Sequence, residues 1–317
     1  MATETNPVPT PTPKDLVEVK KPTSLLIAQF FLFPLIIIAI CVGIFLLFGY
    51  LTYNPGTARE YLNEIKTGSG TARWQAAFEL SNMLSNDDKK LRDPELIQGV
   101  RSLYAESKDD DPRVRRYLAM TLGKMKDRDA VPVLLKGLDE AEQLKNAPAP
   151  EGMFGLGPSP EEHRQAQIQT QIYTLWALGT IGDNAAVSRV LKELKNEDPD
   201  VRKFAAYVLG VLNDSSAIHD LQVALNDAHD DVRWNAANAL ARLGDAAGVE
   251  LLMTLIDHSF VDQLKITPEA KSELMSSAVM CLGLLKWEAA REKMKTLSQM
   301  DPDLAVRNAS IEALKKF

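Results

Sequence analysis

Residues 198–212 read DPDVRKFAAYVLGVL, and residues 229–243, thirty-one places later, read HDDVRWNAANALARL. In the first stretch Val201, Ala205, Val208, Leu209 and Leu212 fall at i, i+4, i+7, i+8 and i+11, one apolar stripe on a helix. Val232, Ala236, Ala239, Leu240 and Leu243 repeat that stripe place for place. The seven-residue step from Arg202 to Leu209 also recurs at Arg73/Leu80, Arg115/Leu122, Arg233/Leu240 and Arg307/Leu314, with weaker copies at Gln171/Leu178 and Met275/Leu282. A short motif written seven times describes an array rather than a single globule.

Turn signals stand before these helices: DPR at 111, DPD at 198 and DPD at 301. Asp can cap the free amides of a first turn, and Pro just after it has helical φ and no donor to leave unpaired. A second, shorter amphipathic stretch precedes each start, as in AVPVLLKGL at 130, AVSRVLKEL at 186, AIHDLQVAL at 217 and GVELLMTLI at 248. The unit is helix, turn, helix, and one such pair cannot bury its own stripe, so neighbours must stack. The predicted fold is all-α, a solenoid of about seven helical hairpins over residues 54–317.

The pattern D-P-x-V-R-x-x-A-A-x-x-L-G at Asp198, Pro199, Val201, Arg202, Ala205, Ala206, Leu209 and Gly210 resembles the short HEAT-like repeat first described in phycobilisome lyases. The resemblance covers roughly residues 57–317 and implies an α-solenoid. It implies little about activity, because such arrays serve unrelated roles. Three intervals exceed the repeat length, at SNDDKKLRDP, at HSFVDQLKITP and at the Pro/Gly-rich NAPAPEGMFGLGPSPEEH, which is read as a loop insertion at about 141–165. In that insertion Met153, Phe154 and Leu156 either tuck against the stack or await a partner.

Before the array, residues 1–23 include the Pro/Thr-rich NPVPTPTPK and are predicted to be a disordered tail. From Leu25 to Leu51 the chain carries no charge, and Gln29 is its only strongly polar side chain. That run is too long for a signal peptide and reads as a transmembrane helix over 24–53, a buried core helix being the alternative. Lys20 and Lys21 abut its edge and favour a cytoplasmic N-terminus with the repeat domain on the outer side.

The net charge of -7 falls on residues 54–317, which argues against a nucleic-acid partner. Cys41 and Cys281 cannot build a disulfide framework or a cysteine zinc site, and each reads as a small buried hydrophobe. In repeat type the chain also resembles deoxyhypusine hydroxylase, a family that binds two irons through His-Glu pairs. His163, His219, His229 and His258 are followed by Arg, Asp, Asp and Ser, so that ligand pattern is missing and each reads as a surface or loop histidine. Lyase activity would need a chromophore groove that nothing here singles out, and a glycosylase built from such repeats would need a basic face. GMFGLGP fits no phosphate or dinucleotide loop, and no catalytic constellation is found. No metal, cofactor or small-molecule substrate is expected.

Two sets of residues remain. Arg73, Arg115, Arg202, Arg233 and Arg307 sit at the edge of the stripe and would form a ladder, either an anion-binding stripe or, the favoured reading, pairs with loop carboxylates such as Asp200 and Asp231. Positions one and five after the Arg lie opposite the stripe and should be polar. Instead they include Trp74, Phe78, Met120, Trp176, Tyr207, Trp234 and Met280, the composition of an interaction surface. Superhelical twist could equally tuck any one Trp into the core. The sequence thus predicts a non-catalytic, membrane-anchored scaffold or assembly factor that binds a protein or peptide of a membrane complex along the solenoid groove. An enzyme or enzyme subunit of the lyase or hydroxylase type is the alternative, and a flexing sensor is a third possibility.

Overall fold

The repeat begins with capped turns. Asp111 accepts from the Arg113 amide at 2.9 Å and Asp198 from the Asp200 amide at 2.9 Å, each followed by Pro at the first helical position. At 301–303 the cap is Asp303, not Asp301. Asp303 accepts from the amides of Ala305 and Val306, while the buried Asp301 accepts from the Asp303 amide.

The computed structural model describes residues 24–52, 56–84, 93–150 and 157–317, with the side chains of the first helix described from Phe31 to Leu47. The expected disordered tail and the insertion residues Met153, Phe154 and Leu156 lie outside the described residues. The chain divides into two units, Met1–Gly56 and Thr57–Phe317.

In the first unit α1 (Ser24–Thr52) contains Pro34. Its described side chains, Phe31 to Leu47, are all exposed, Cys41 among them, so the expectation that this thiol is a buried hydrophobe is corrected. Among the described residues no helix is long and apolar enough to cross a membrane. This overturns the expected transmembrane helix over 24–53 and, with it, the membrane location and the outward-facing repeat domain.

The second unit is built of helical pairs. They are α2 (Ala58–Thr67) with α3 (Gly70–Met83), α4 (Pro94–Glu106) with α5 (Pro112–Met125), and α6 (Val131–Lys145) with α7 (Pro160–Ile181). Next come α8 (Val187–Glu193) with α9 (Pro199–Leu212) and α10 (Ile218–Ala224) with α11 (Asp230–Arg242). The last two are α12 (Val249–Leu255) with α14 (Pro268–Leu284), separated by the single turn α13 (His258–Val261), and α15 (Arg291–Met300) with α16 (Leu304–Leu314). These are the seven hairpins expected, and no strand occurs among the described residues. The insertion expected at 141–165 is partly helical, since α6 runs on to Lys145 and α7 starts at Pro160.

Each second helix packs on the next, α3 on α5, α5 on α7, and so on to α16. The stripe read from the sequence is the core. Val201, Ala205, Val208, Leu209, Val232, Ala236 and Leu240 are fully buried, and Leu212 nearly so. The helices approach so closely that a Cβ on Gly210 would lie 2.7 Å from the Ala239 Cα, and one on Gly283 would lie 2.9 Å from the Ala313 Cα. After five of the second helices the chain turns through a left-handed residue, as at Asn213 and Gly182, and after three of them an Asp follows that caps a 3-10 turn. Asp127, Asp183 and Asp214 do this, a regularity twelve residues after the Arg position that the helix stripe alone does not reveal.

The Arg ladder ties repeats together, although not through the carboxylates expected. Asp200 and Asp231 instead take Lys203, at 2.7 and 3.7 Å. Arg73 pairs with Asp110, Arg115 with Glu140, and Arg202 with Asp227 at 2.7 and 3.0 Å. Arg202 also donates to the carbonyls of Asn196 and Glu197, so one guanidinium joins the turn before its own helix to the turn before the next. Arg233 reaches the Asp227 carbonyl at 2.7 Å and pairs with Asp230. Arg307 has no carboxylate within ion-pair reach among the described residues, and its Nε is buried without a partner. The Arg202 hydrogen bond, helped by the His229 amide, holds the Asp227 carboxyl below its usual range against the burial that would raise it.

Two predictions follow from this packing. Gly210→Ala should lower unfolding free energy, because an overpacking cost of about 1–3 kcal/mol exceeds the roughly 1 kcal/mol gain in helix propensity. Gly70→Ala, where the added Cβ meets open space, should leave stability equal or higher, and urea titration of the two variants checks the order. Arg202→Met should cost about 2–4 kcal/mol by stranding Asp227 and the two turn carbonyls. Because the folded-state pKa of Asp227 is depressed, its contribution is present above the ordinary aspartate value of 3.8 and is lost as pH falls through the lower folded value. Acid titration should therefore show a shallower stability loss below that value in Arg202→Met than in the parent.

Candidate functional site

Residues one and five after the Arg position project from the second helices on the side away from the stripe. There the surface between α5 and α16 is indented by three clefts that share walls. The first, about 380 Å³, is lined by Met120, Ile172, Tyr173, Trp176 and Phe204. The second, about 720 Å³, begins at the same Trp176 and Phe204 and continues past Tyr207, Trp234 and Asn238 to Arg242 and Glu273. The third, about 760 Å³, starts from Arg242, Glu273 and Ser277 and runs along Met280 and Leu284 to Asp303.

Five of the seven expected groove residues thus border one continuous depression: Met120, Trp176, Tyr207, Trp234 and Met280. They do so in different ways. Tyr207 is 42% exposed and Trp176 is half-buried, whereas Trp234 is only 6% exposed and belongs to the core with its edge at the cleft. Trp74 and Phe78 are not brought to it. Trp74 lies under Arg113, whose Cζ is 4.4 Å from the ring centroid, and Phe78 meets Tyr117 edge-on at 5.2 Å. The sequence reading missed Tyr173 and Phe204, both two residues after the Arg position. An aromatic at that place in two successive repeats was the available signal.

The charges along the clefts are unevenly matched. Lys203 sits between the carboxylates of Asp200 and Asp231. Arg242 is exposed, with no carboxylate in ion-pair reach among the described residues. Toward α16 the carboxylates of Glu269, Glu273 and Asp303 collect. The Ser272 hydrogen bond and the amides of Ala305 and Val306 hold the Asp303 carboxyl below its usual range.

Three of the four histidines make hydrogen bonds within the array. His163 is buried, not on the surface as expected, with Nε2 2.9 Å from the Leu144 carbonyl. Nδ1 of His229 accepts from Arg202 at 3.1 Å, Nε2 of His258 lies 2.8 Å from buried Asp301, and His219 is exposed. Among the described residues no three or more His, Cys, Asp or Glu side chains are grouped to hold a metal ion. Cys281 borders the third cleft, but burial pushes its thiol up to about 11, so it is not a thiolate at neutral pH.

Comparison with known proteins agrees with this architecture. A family model for HEAT repeats matches residues 60–147 and 187–267. No curated protein matches the sequence. Among solved structures, the chain is similar to the complex of CpcE and CpcF of phycocyanin lyase from Nostoc sp. PCC7120, at 17% identity and a TM-score of 0.53 over 82% of this chain and 94% of that one. It is also similar to human deoxyhypusine hydroxylase in complex with glycerol, at 16% identity and a TM-score of 0.33 over 82% of this chain and 83% of that one. The match to the repeat model spans more than half the sequence: the chain belongs to the HEAT repeat family.

Proposed function

We propose that this protein is a non-catalytic interaction scaffold that holds an extended protein segment along the second helices from α5 to α16. The observation that carries the reading is the continuity of the three clefts, with Trp176 and Phe204 shared by the first two and Arg242, Glu273 and Ser277 by the last two. Aromatic and Met side chains supply large contact area at low entropic cost, and a rigid row of helices keeps them in register for a partner. The partner in this reading is a protein, and nothing in the clefts ties it to a membrane complex. The competing reading, an enzyme or enzyme subunit of the lyase or hydroxylase type, draws on the likeness to the phycocyanin lyase complex. At 17% identity that likeness speaks for fold alone.

A photoreactive phenylalanine analogue placed at Tyr207, in the groove, should crosslink a defined protein in cells. The same analogue at Val223, 59% exposed on α10, should not. Equal labelling from both positions, or none from Tyr207, would refute the groove. Replacing Trp176 and Tyr207 together with Ala should abolish the crosslinked species detected from a probe at Met280 while leaving the helical circular dichroism signal intact.

A further inference from the structure

Lys203, one residue after Arg202, spans two carboxylates that occupy the same place in successive repeats. Asp200 and Asp231 each lie two residues before the Arg position of their helix, at 2.7 and 3.7 Å from the Lys203 ammonium. Glu273 is the next carboxylate in that series, two residues before Met275. Its helix carries Ser276 where α9 carries Lys203, so no lysine of the array reaches it. Neither Glu273 nor Glu269 has a cation in ion-pair reach among the described residues.

The serine also leaves space. The third cleft, about 760 Å³, opens where a lysine stem would lie, and its walls include Met280 and Leu284, the latter 46% exposed. The Ser276 hydroxyl borders that cleft, is itself buried, and has no hydrogen-bond partner. The cleft therefore has apolar walls suited to a methylene stem, an unsatisfied hydroxyl, and three carboxylates, Glu269, Glu273 and Asp303, against the single guanidinium of Arg242.

We propose that this cleft receives a lysine or arginine side chain of the bound protein segment, which does at Glu273 what Lys203 does at Asp200 and Asp231. The inference rests on the groove reading above and adds the polarity of the partner: apolar side chains over Trp176 and Tyr207, a basic one beside Glu273. Helix axes about 8–10 Å apart place α7 and α14 about 27 Å apart, the span of about eight extended residues.

The test uses the full chain and two fluorescein-labelled octapeptides, Phe-Ser-Leu-Ser-Ser-Leu-Lys-Lys and the same sequence ending in Glu-Glu, with affinity read by anisotropy at low salt. The Lys-Lys peptide should bind at least about tenfold tighter, the equivalent of one charge-assisted hydrogen bond. Ser276→Lys supplies the missing cation within the chain, so it should remove that preference while melting like the parent. Glu273→Gln should reduce the preference without adding bulk, which covers the case in which the lysine variant fails to fold. Equal binding of the two peptides, or a preference that survives Glu273→Gln, overturns the proposed polarity and leaves the groove standing. Binding of neither peptide overturns the polarity and the groove together.

Discussion

A helical hairpin of this size has one apolar stripe and nothing of its own to cover it. α8, α10 and α12 are seven residues each, and each precedes a longer helix whose stripe residues, such as Val201, Leu209, Val232, Leu240, Val279 and Leu282, are fully buried because the adjoining pair lies against them. Burial across neighbours, at about 25 cal/mol per Å² of apolar surface, is the main favourable contribution to the array. The small residues at the contact follow from that constraint. Gly210 against Ala239 and Gly283 against Ala313 bring helix backbones together where a larger side chain would hold them apart.

Polar groups follow the same neighbour-to-neighbour logic. Arg202 is tied to the carbonyls of its own turn and to Asp227 of the next, and Lys203 links Asp200 to Asp231. Such ties fix the rotation of one hairpin on another, and that rotation brings Met120, Trp176, Tyr207, Trp234 and Met280 to adjoining clefts, while Trp74 and Phe78 of α3 stay apart from them. Lys fills the place one residue after the Arg position only in α9; α11 carries Trp234 there and α14 carries Ser276, where the surface opens and its charge is unbalanced. On the proposed reading, structure and recognition draw on one repeated position, filled from within at α9 and left open at α14.

Much of the fold was legible because period and stripe are local properties: the seven hairpins and the buried faces follow from helical geometry, which also puts Met120, Trp176, Tyr207 and Met280 at the edges of clefts. What the sequence hid depends on pairing across repeats. Two partners of the Arg ladder lie twenty-five residues on, Glu140 within α6 and Asp227 in the turn before α11, so both were missed while the nearer Asp200 and Asp231 were named. Trp234 shares a wheel position with exposed residues yet is buried by its neighbours. The apolar run before the array reads from hydropathy alone as a membrane span, yet among the described residues no helix is long and apolar enough to cross a membrane.

The dependence of each hairpin on the next can be measured by far-ultraviolet circular dichroism of two fragments, residues 218–243, which hold α10 and α11, and residues 187–285, which hold that pair with a pair on either side. The account predicts a coil spectrum for the short fragment and a helical spectrum with cooperative melting for the long one. A short fragment that is fully helical and melts cooperatively by itself would contradict it.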